Sequence, residues 1–401
     1  MAAKYDLASD AYYSDPYPTY AAMRRDDPAY FREDIGLWML TRYADAHALS
    51  RSRNTSVARV SQLVGLASPE LAEQAQVVER FLSDWLVFSD PPRHTVMRRL
   101  QTRAFSPRNV AGLEPYIRDL VSATLDGLVG AGQFDLIADF AIPIPARVIA
   151  HMLGVPARDV DQFKAWTSAV FRVPAMVGDP DENLKAAYDG VVSLDGYFRD
   201  LIAERRKTPT DDILSALVQA EEDGQFLNEH ELVSSCALLL LAGHETSTHV
   251  IGNGMLALLR HPGELRRLRE NPELIEPAVE EFQRYDSASG MISRVLTADL
   301  DVGGQVIPAG QVASGVVQAA NRDPDMFPDP DRFDIGRGDS RHLGFGGGPH
   351  LCLGAALSRL ETTAAVAALV DRFPKLDLAD GNPVWVRSIA IRGVESLALT
   401  T

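Results

Sequence analysis

The chain has 401 residues, 46% of them hydrophobic, enough to bury a sizeable core. A formal net charge of −16 excludes a general nucleic-acid binder, because phosphate binding wants a basic surface. Two cysteines, Cys236 and Cys352, give no disulfide framework, which fits a reducing, cytoplasmic setting.

The opening stretch MAAKYDLASDAYYSDPYP has neither a basic start nor an apolar run, so neither a signal peptide nor a membrane anchor is expected. No repeat or low-complexity linker divides the chain, and 1–401 reads as a single domain with no fused reductase. A short helix is predicted over 19–25, strands over 29–32 and 37–40, and a helix over 43–49. Residues 50–88 read as irregular with weak helical patches, a segment suited to covering something.

Next comes DPPRHTVMRRLQTRAFSPRNV, where Asp90-Pro91-Pro92 starts a helix. His94 and Arg98 are four apart and share a face, with Arg93, Arg99 and Arg103 adding positive charge. By itself this is an ordinary solvated basic helix face. Amphipathic patterns predict helices over 113–130, 144–153, 157–171, 185–206 and 211–222, with a break at 172–184 and a turn at Asp223-Gly224. Asn228 and Glu231 make a capping-box-like start for the longest helix, running roughly to residue 260. In its middle stands Ala242-Gly243-His244-Glu245-Thr246-Ser247, after the apolar run that holds Cys236. A small Ala-Gly pair lets a flat body approach the backbone. A threonine hydroxyl there can bond back to the carbonyl one turn earlier. An acid beside an alcohol in a buried span is costly unless it works.

Glu281 and Arg284, three apart on a short helix, can pair, although any helix carries such a pair. The segment 293–324 is the most strand-like part of the chain, with turns at Gly303-Gly304 and Ala309-Gly310. Beyond residue 373 the tail reads as short strands and turns.

The densest signal is HLGFGGGPHLCLGAALSRLE, 342–361. Gly346-Gly347-Gly348-Pro349 specifies a tight loop, and a helical pattern follows Cys352. A thiolate at that junction meets the positive end of the helix and nearby amides. A buried free cysteine is the ordinary alternative. A zinc site is disfavoured by the His350–Cys352 spacing, and a phosphate loop by the lack of Gly-Lys-Ser/Thr.

The stretch fits F-G-x-G-x-H-x-C-x-G at Phe345, Gly346, Gly348, His350, Cys352 and Gly354, and so resembles the cysteine-ligand loop of the cytochrome P-450 family. The acid–alcohol pair matches the family's A-G-x-[DE]-T motif, and Glu281–Arg284 matches its E-x-x-R motif, about seventy residues before the cysteine. The resemblance implies a mostly α fold with a small β region, the family's triangular prism, with haem between the long central helix and the cysteine loop. It implies heme b (iron-protoporphyrin IX, haem below), with Cys352 as axial ligand to iron. His94, Arg98, Arg294 and His350 fall to the propionates, Phe345 and Gly346 to the sulfur side, and Ala242 and Gly243 to the opposite face. Thr246 and Glu245 would deliver protons, while Glu281, Arg284 and Arg332 would form a structural ion network. The other arginines near His94 would receive an acidic electron donor.

The implied activity is that of a monooxygenase, inserting one atom of O2 into a small-to-medium apolar substrate with electrons from a separate ferredoxin and its NAD(P)H-dependent reductase. The implied protein is a soluble monomer. Epoxidation, desaturation, coupling or rearrangement stays open, as does a haem-thiolate sensor without turnover. Residues 54–88, 170–184, Leu239 with Ala242, and 288–292 would line the pocket, where Arg59 or Arg172 could meet a carboxylate.

Overall fold

The structure, a computed structural model, describes residues 4–176, 178–220, 225–338, 341–379 and 383–401. Helices dominate and the strands gather in four small sheets. The organising element is the central helix, Glu229–Arg260, 32 residues long and on the order of 48 Å at ~1.5 Å per residue. Its start is locked by reciprocal capping: Asn228 Oδ1 accepts the Glu231 amide at 3.1 Å, and the Glu231 carboxylate accepts the Asn228 amide at 2.8 Å. The helices Pro143–Met152, Val160–Ala175 and Ala355–Arg372 pack around it. Close approach depends on glycine: a β-carbon on Gly254 would lie 2.5 Å from the Phe282 ring.

The largest sheet orders its strands Ala29–Arg32, Leu37–Leu40, Val312–Val316, Met291–Leu296 and Thr55–Ser56. Leu37–Leu40 runs parallel to Val312–Val316, and the other pairings are antiparallel. Along Met291–Leu296 burial alternates, and Arg294, opposite Ala313, falls on the buried face. The C-terminal strand Ala398–Thr400 builds a second sheet, pairing with both Gln133–Asp135 and Asp377–Leu378.

The early strands and the two turns at Gly303-Gly304 and Gly310 lie where the sequence predicts them, the three glycines at φ +63°, +91° and +86°. Two expectations need correcting. Residues 50–88 contain the helices Val60–Val64 and Ala72–Ser83, the latter burying Val78, Phe81 and Leu82 on one face. The break at 172–184 is shorter, because the preceding helix runs through Pro174 to Ala175 and Asp179 caps a new helix at Pro180. Val177 and the turn at Asp223-Gly224 lie outside the described residues. Among the described residues no helix is long and apolar enough to cross a membrane.

Candidate active site

The cysteine loop is built by glycines in conformations closed to other residues. Gly346 and Gly348 have φ of +72° and +64°, and a β-carbon on Gly348 would lie 2.5 Å from the Ser50 carbonyl oxygen. The fold back is closed by the Cys352 amide donating to Phe345 O at 2.9 Å. Cys236 is buried in the core, as expected, whereas Cys352 is accessible. The surrounding protein pushes the Cys352 thiol up, against the Gly354 amide, Arg98 and Arg359, which pull it down. Phe345 lies under the Arg359 guanidinium, 4.5 Å from the ring centre.

Four of the proposed cofactor residues converge beside this loop. The His94 and His350 rings lie 4.2 Å apart, and Arg98 and Arg294 act electrostatically on both. Burial and then these positive neighbours hold His350 down to about 3 and lower His94. His94 Nε2 is buried with no hydrogen-bond partner, and Arg294 is 8% exposed. Such a gathering of buried donors calls for an anion.

On the central helix every residue from Leu232 to Leu241 and from Ser247 to Leu259 is buried. Between them Ala242 is exposed and Gly243, Glu245 and Thr246 are partly so, which opens one face in the middle of an otherwise covered helix. Thr246 Oγ1 donates to Ala242 O at 3.2 Å, the back-bond expected from the sequence. The next residue, Ser247, meets Ser358 of the cysteine helix at 3.4 Å, so this turn and the cysteine segment are neighbours. Glu245 accepts a hydrogen bond from Ser168 at 3.0 Å, with His244 Nε2 at 3.5 Å and His249 Nε2 at 4.0 Å. Burial pushes its carboxyl up, but the hydrogen bond and charge of His244, then His249 and Ser168, carry it down to about 2.

Glu281 and Arg284 form a fully buried bidentate pair at 2.7 and 2.8 Å. Arg284 also donates to the carbonyls of Asn321, Pro330 and Arg332. The third member expected, Arg332, contributes only that carbonyl: its side chain is 65% exposed and faces Asp334 at 3.6 Å. Arg337 takes the place instead, 3.4 Å from Glu281, brought back by the turn in which its amide donates to Asp334 O at 3.1 Å. Arg93 is likewise not a free surface cation, since it pairs with Glu231.

Sequence reasoning missed the partners of Glu245 and a second network, in which Glu280 accepts from Arg359 at 2.5 Å and meets His342 Nε2 at 3.1 Å. Glu280 beside Glu281, and His249 four residues after Glu245, were the available signals. Of the expected pocket residues, Leu239 and Ala288 are buried in the core. Arg59, Leu63, Met176 and Met291 instead line a cavity of about 100 Å³. A larger groove of about 620 Å³, lined by Val121, Leu268 and Ala368, holds none of the candidate site residues.

The residues present fit a haem. An accessible thiol on a glycine loop leads into the helix that meets the open turn of the central helix through Ser358 and Ser247, and Arg98, the buried Arg294 and an orphaned His94 nitrogen match two carboxylates. The fold and site therefore define a haem-thiolate enzyme. A sequence profile of the cytochrome P450 family matches residues 159–385. The vitamin D(3) 25-hydroxylase of Pseudonocardia autotrophica is 40% identical over 99% of this chain and 96% of its own. The biotin biosynthesis cytochrome P450 of Bacillus subtilis is 36% identical over 98% of both. The crystal structure of P450BioI in complex with an acyl carrier protein ligated to hexadec-9Z-enoic acid superposes with a TM-score of 0.91 at 34% identity, covering 98% of this chain and 100% of that one. The chain belongs to the cytochrome P450 family, whose members work as monooxygenases with haem iron, O2, a substrate and redox partners.

Proposed function

We propose that this chain, acting as one haem domain, hydroxylates a C–H bond of a medium-sized, mostly apolar natural product such as a polyketide, terpenoid or steroid, with electrons from a separate ferredoxin and reductase. The observation that carries the reading is the single accessible turn, Ala242 to Thr246, in a helix buried above and below it, beside the cysteine segment. In this reading the cofactor is heme b, and the thiolate-bound iron supplies dioxygen activation, the thiolate favouring O–O cleavage. Cys352 provides the thiolate, with Gly354, Arg98 and Arg359 stabilising its charge. His94, Arg98, Arg294 and His350 hold the propionates. Ala242 gives this turn its small exposed side chain, whereas the open side of Gly243 is taken by Ile149, 2.7 Å from where a β-carbon would lie.

Thr246 Oγ1 turns from Ala242 O to donate a hydrogen bond into the site, and Glu245 restores the proton from the solvent side through Ser168 and its histidines. Exclusion of water falls to the helices covering 54–83. The relatives support the substrate size: one is a vitamin D(3) hydroxylase, and another was crystallised with a carrier-linked fatty acyl group.

The test is reconstitution with a ferredoxin and its reductase under heavy-isotope dioxygen, using substrates that shift the ferric spin state. One labelled oxygen atom in the product, dependent on the reductase, supports the reading. Product formed without electrons would assign the chain to rearrangement chemistry instead, and ligand binding without any product would make it a sensor.

A further inference from the structure

We propose that His244 is a positioning residue for proton delivery: it stores one proton, as an ion pair with Glu245, and passes it to that acid. The inference rests on the proton-delivery reading above and names where the proton waits.

The tautomer of His244 follows from what its two nitrogens face. Nδ1 lies 2.8 Å from Leu240 O, a carbonyl that only accepts, so Nδ1 carries a proton. Nε2 lies 3.5 Å from Glu245 Oε1. A neutral ring protonated on Nδ1 would turn the Nε2 lone pair toward the carboxylate, acceptor against acceptor. One further proton removes that conflict. It belongs on Nε2, because the carboxylate already has other donors around it. Ser168 donates to Oε1 at 3.0 Å, and His249 Nε2 faces Oε2 at 4.0 Å. Burial works against the charge on Glu245, and the hydrogen bond and charge of His244, ahead of His249 and Ser168, more than offset it. His244 is 3% exposed, and a cation that deep needs such a partner.

His249 has a different task. Its ring is buried against Gly393, where a β-carbon would lie 2.0 Å from Nδ1, and that nitrogen has no hydrogen-bond partner. Burial lowers its pKa against the pull of Glu245, so the ring stays neutral with its proton on Nε2, toward the acid. It steadies the carboxylate without holding a spare proton. The other elements packed on this trio bring uncharged groups to it: Ile149 at Gly243, the Ser168 hydroxyl, and the backbone of Gly393 and Val394. Glu361, the acid on the cysteine helix, faces Ser247 instead.

The transfer balances. Nε2 gives its proton to Oε1, leaving a neutral imidazole and a neutral acid, and the acid donates onward at the turn that holds Thr246. The Nε2 lone pair and the carboxylate then face each other. That repulsion draws the next proton from solvent through Glu245, whose side chain is 25% exposed.

The experiment is nitrogen-15 NMR of the histidine rings in the haem-loaded protein, reduced and bound to carbon monoxide so that the iron is diamagnetic. It is run at about pH 7.5, roughly one unit above the ordinary imidazole value. His244 is assigned through its chain neighbours. In the wild type both of its ring nitrogens are expected to carry protons, and in Glu245→Gln only Nδ1. Reconstitution with ferredoxin, reductase and a spin-shifting substrate reads the consequence. Product per NAD(P)H falls in the wild type as pH rises and the stored proton leaves. In His244→Gln it is several-fold lower and flat with pH.

A singly protonated His244 in the wild type, or a doubly protonated one in Glu245→Gln, would overturn the proposal. So would a His244→Gln enzyme that keeps the wild-type coupling and its pH dependence. The wild-type spectrum decides even if a variant does not fold. Two protons on His244 without oxygenated product leave the ion pair standing and remove the monooxygenase reading. Oxygenated product from a protein whose His244 is neutral does the reverse.

Discussion

Thr246 and Glu361 are both hydroxyl- or carboxyl-bearing residues near the haem site, yet their surroundings assign them opposite tasks. Thr246 sits on the accessible turn, and its hydroxyl is occupied only by a back-bond to Ala242 O at 3.2 Å, weak enough to be exchanged. Thr246→Ala is expected to leave substrate binding in place and to lower product formed per NAD(P)H several-fold, with peroxide released in its stead. Unchanged coupling would remove Thr246 from proton delivery. Glu361, nine residues beyond Cys352, is fully buried with neither carboxylate oxygen hydrogen-bonded in the structure. Burial raises its carboxyl to about 8 despite Ser247 nearby, so the folded protein holds it protonated at neutral pH. A raised folded-state pKa contributes stability that is complete below 4.5, its ordinary value, and is lost as pH rises through about 8. Glu361→Gln should therefore flatten the fall in Tm between pH 5 and pH 9 and raise Tm at the alkaline end. A Tm profile parallel to that of the wild type would show that this carboxyl finds a partner after all.

At the scale of the element, the helix Ile275–Tyr285 braces the cysteine segment through two acidic residues in succession. Glu281 holds Arg284 and Arg337, and Glu280 holds Arg359 of the cysteine helix and His342 of the loop. Removing one partner strands the other in the interior. Arg284→Gln is thus expected to cost about 3–5 kcal/mol in urea unfolding. The corrected network makes a sharper comparison. Arg337→Ala should destabilise measurably, whereas Arg332→Ala, at an exposed side chain, should fall within about 0.5 kcal/mol. The reverse order would restore Arg332 to the network. Elements were legible where their signals are local: the capping box at Asn228 and the alternation from Met291 to Leu296 involve neighbours two to four residues apart. The helix Ala72–Ser83 was not, because its apolar face is only Val78, Phe81 and Leu82 and its stability comes from packing on the helix Pro180–Lys207.

Across the whole molecule, distant parts of the chain are tied at one buried knot. Asp286 accepts from Arg392 Nε at 2.5 Å and from Tyr17 Oη at 2.6 Å, and Arg392 also donates to Tyr13 O at 2.7 Å. Arg322 stacks on Tyr17 with its guanidinium carbon 3.5 Å from the ring centre. Burial works against the charge on Arg392, but Asp286 and Tyr17 more than offset it and raise its pKa. Arg392→Gln should cost about 3–5 kcal/mol and release the N-terminal segment together with the C-terminal one, read as joint loss of amide protection near Tyr13 and Val394. Loss confined to one end would show that the two are held independently.

By itself the sequence determined the loop that carries Cys352, the long capped helix with its small-residue turn, and the mostly helical class of the fold. Each rests on backbone preferences and periodicities that act over a few residues. Only the tertiary structure decided which side chains those elements would meet. It placed Arg337 rather than Arg332 on Glu281, set Ser168, His244 and His249 around Glu245, and brought Arg59 beside Arg294. Charge and hydrogen-bond partners come from segments tens to hundreds of residues apart, and their choice follows from packing geometry that no local pattern encodes.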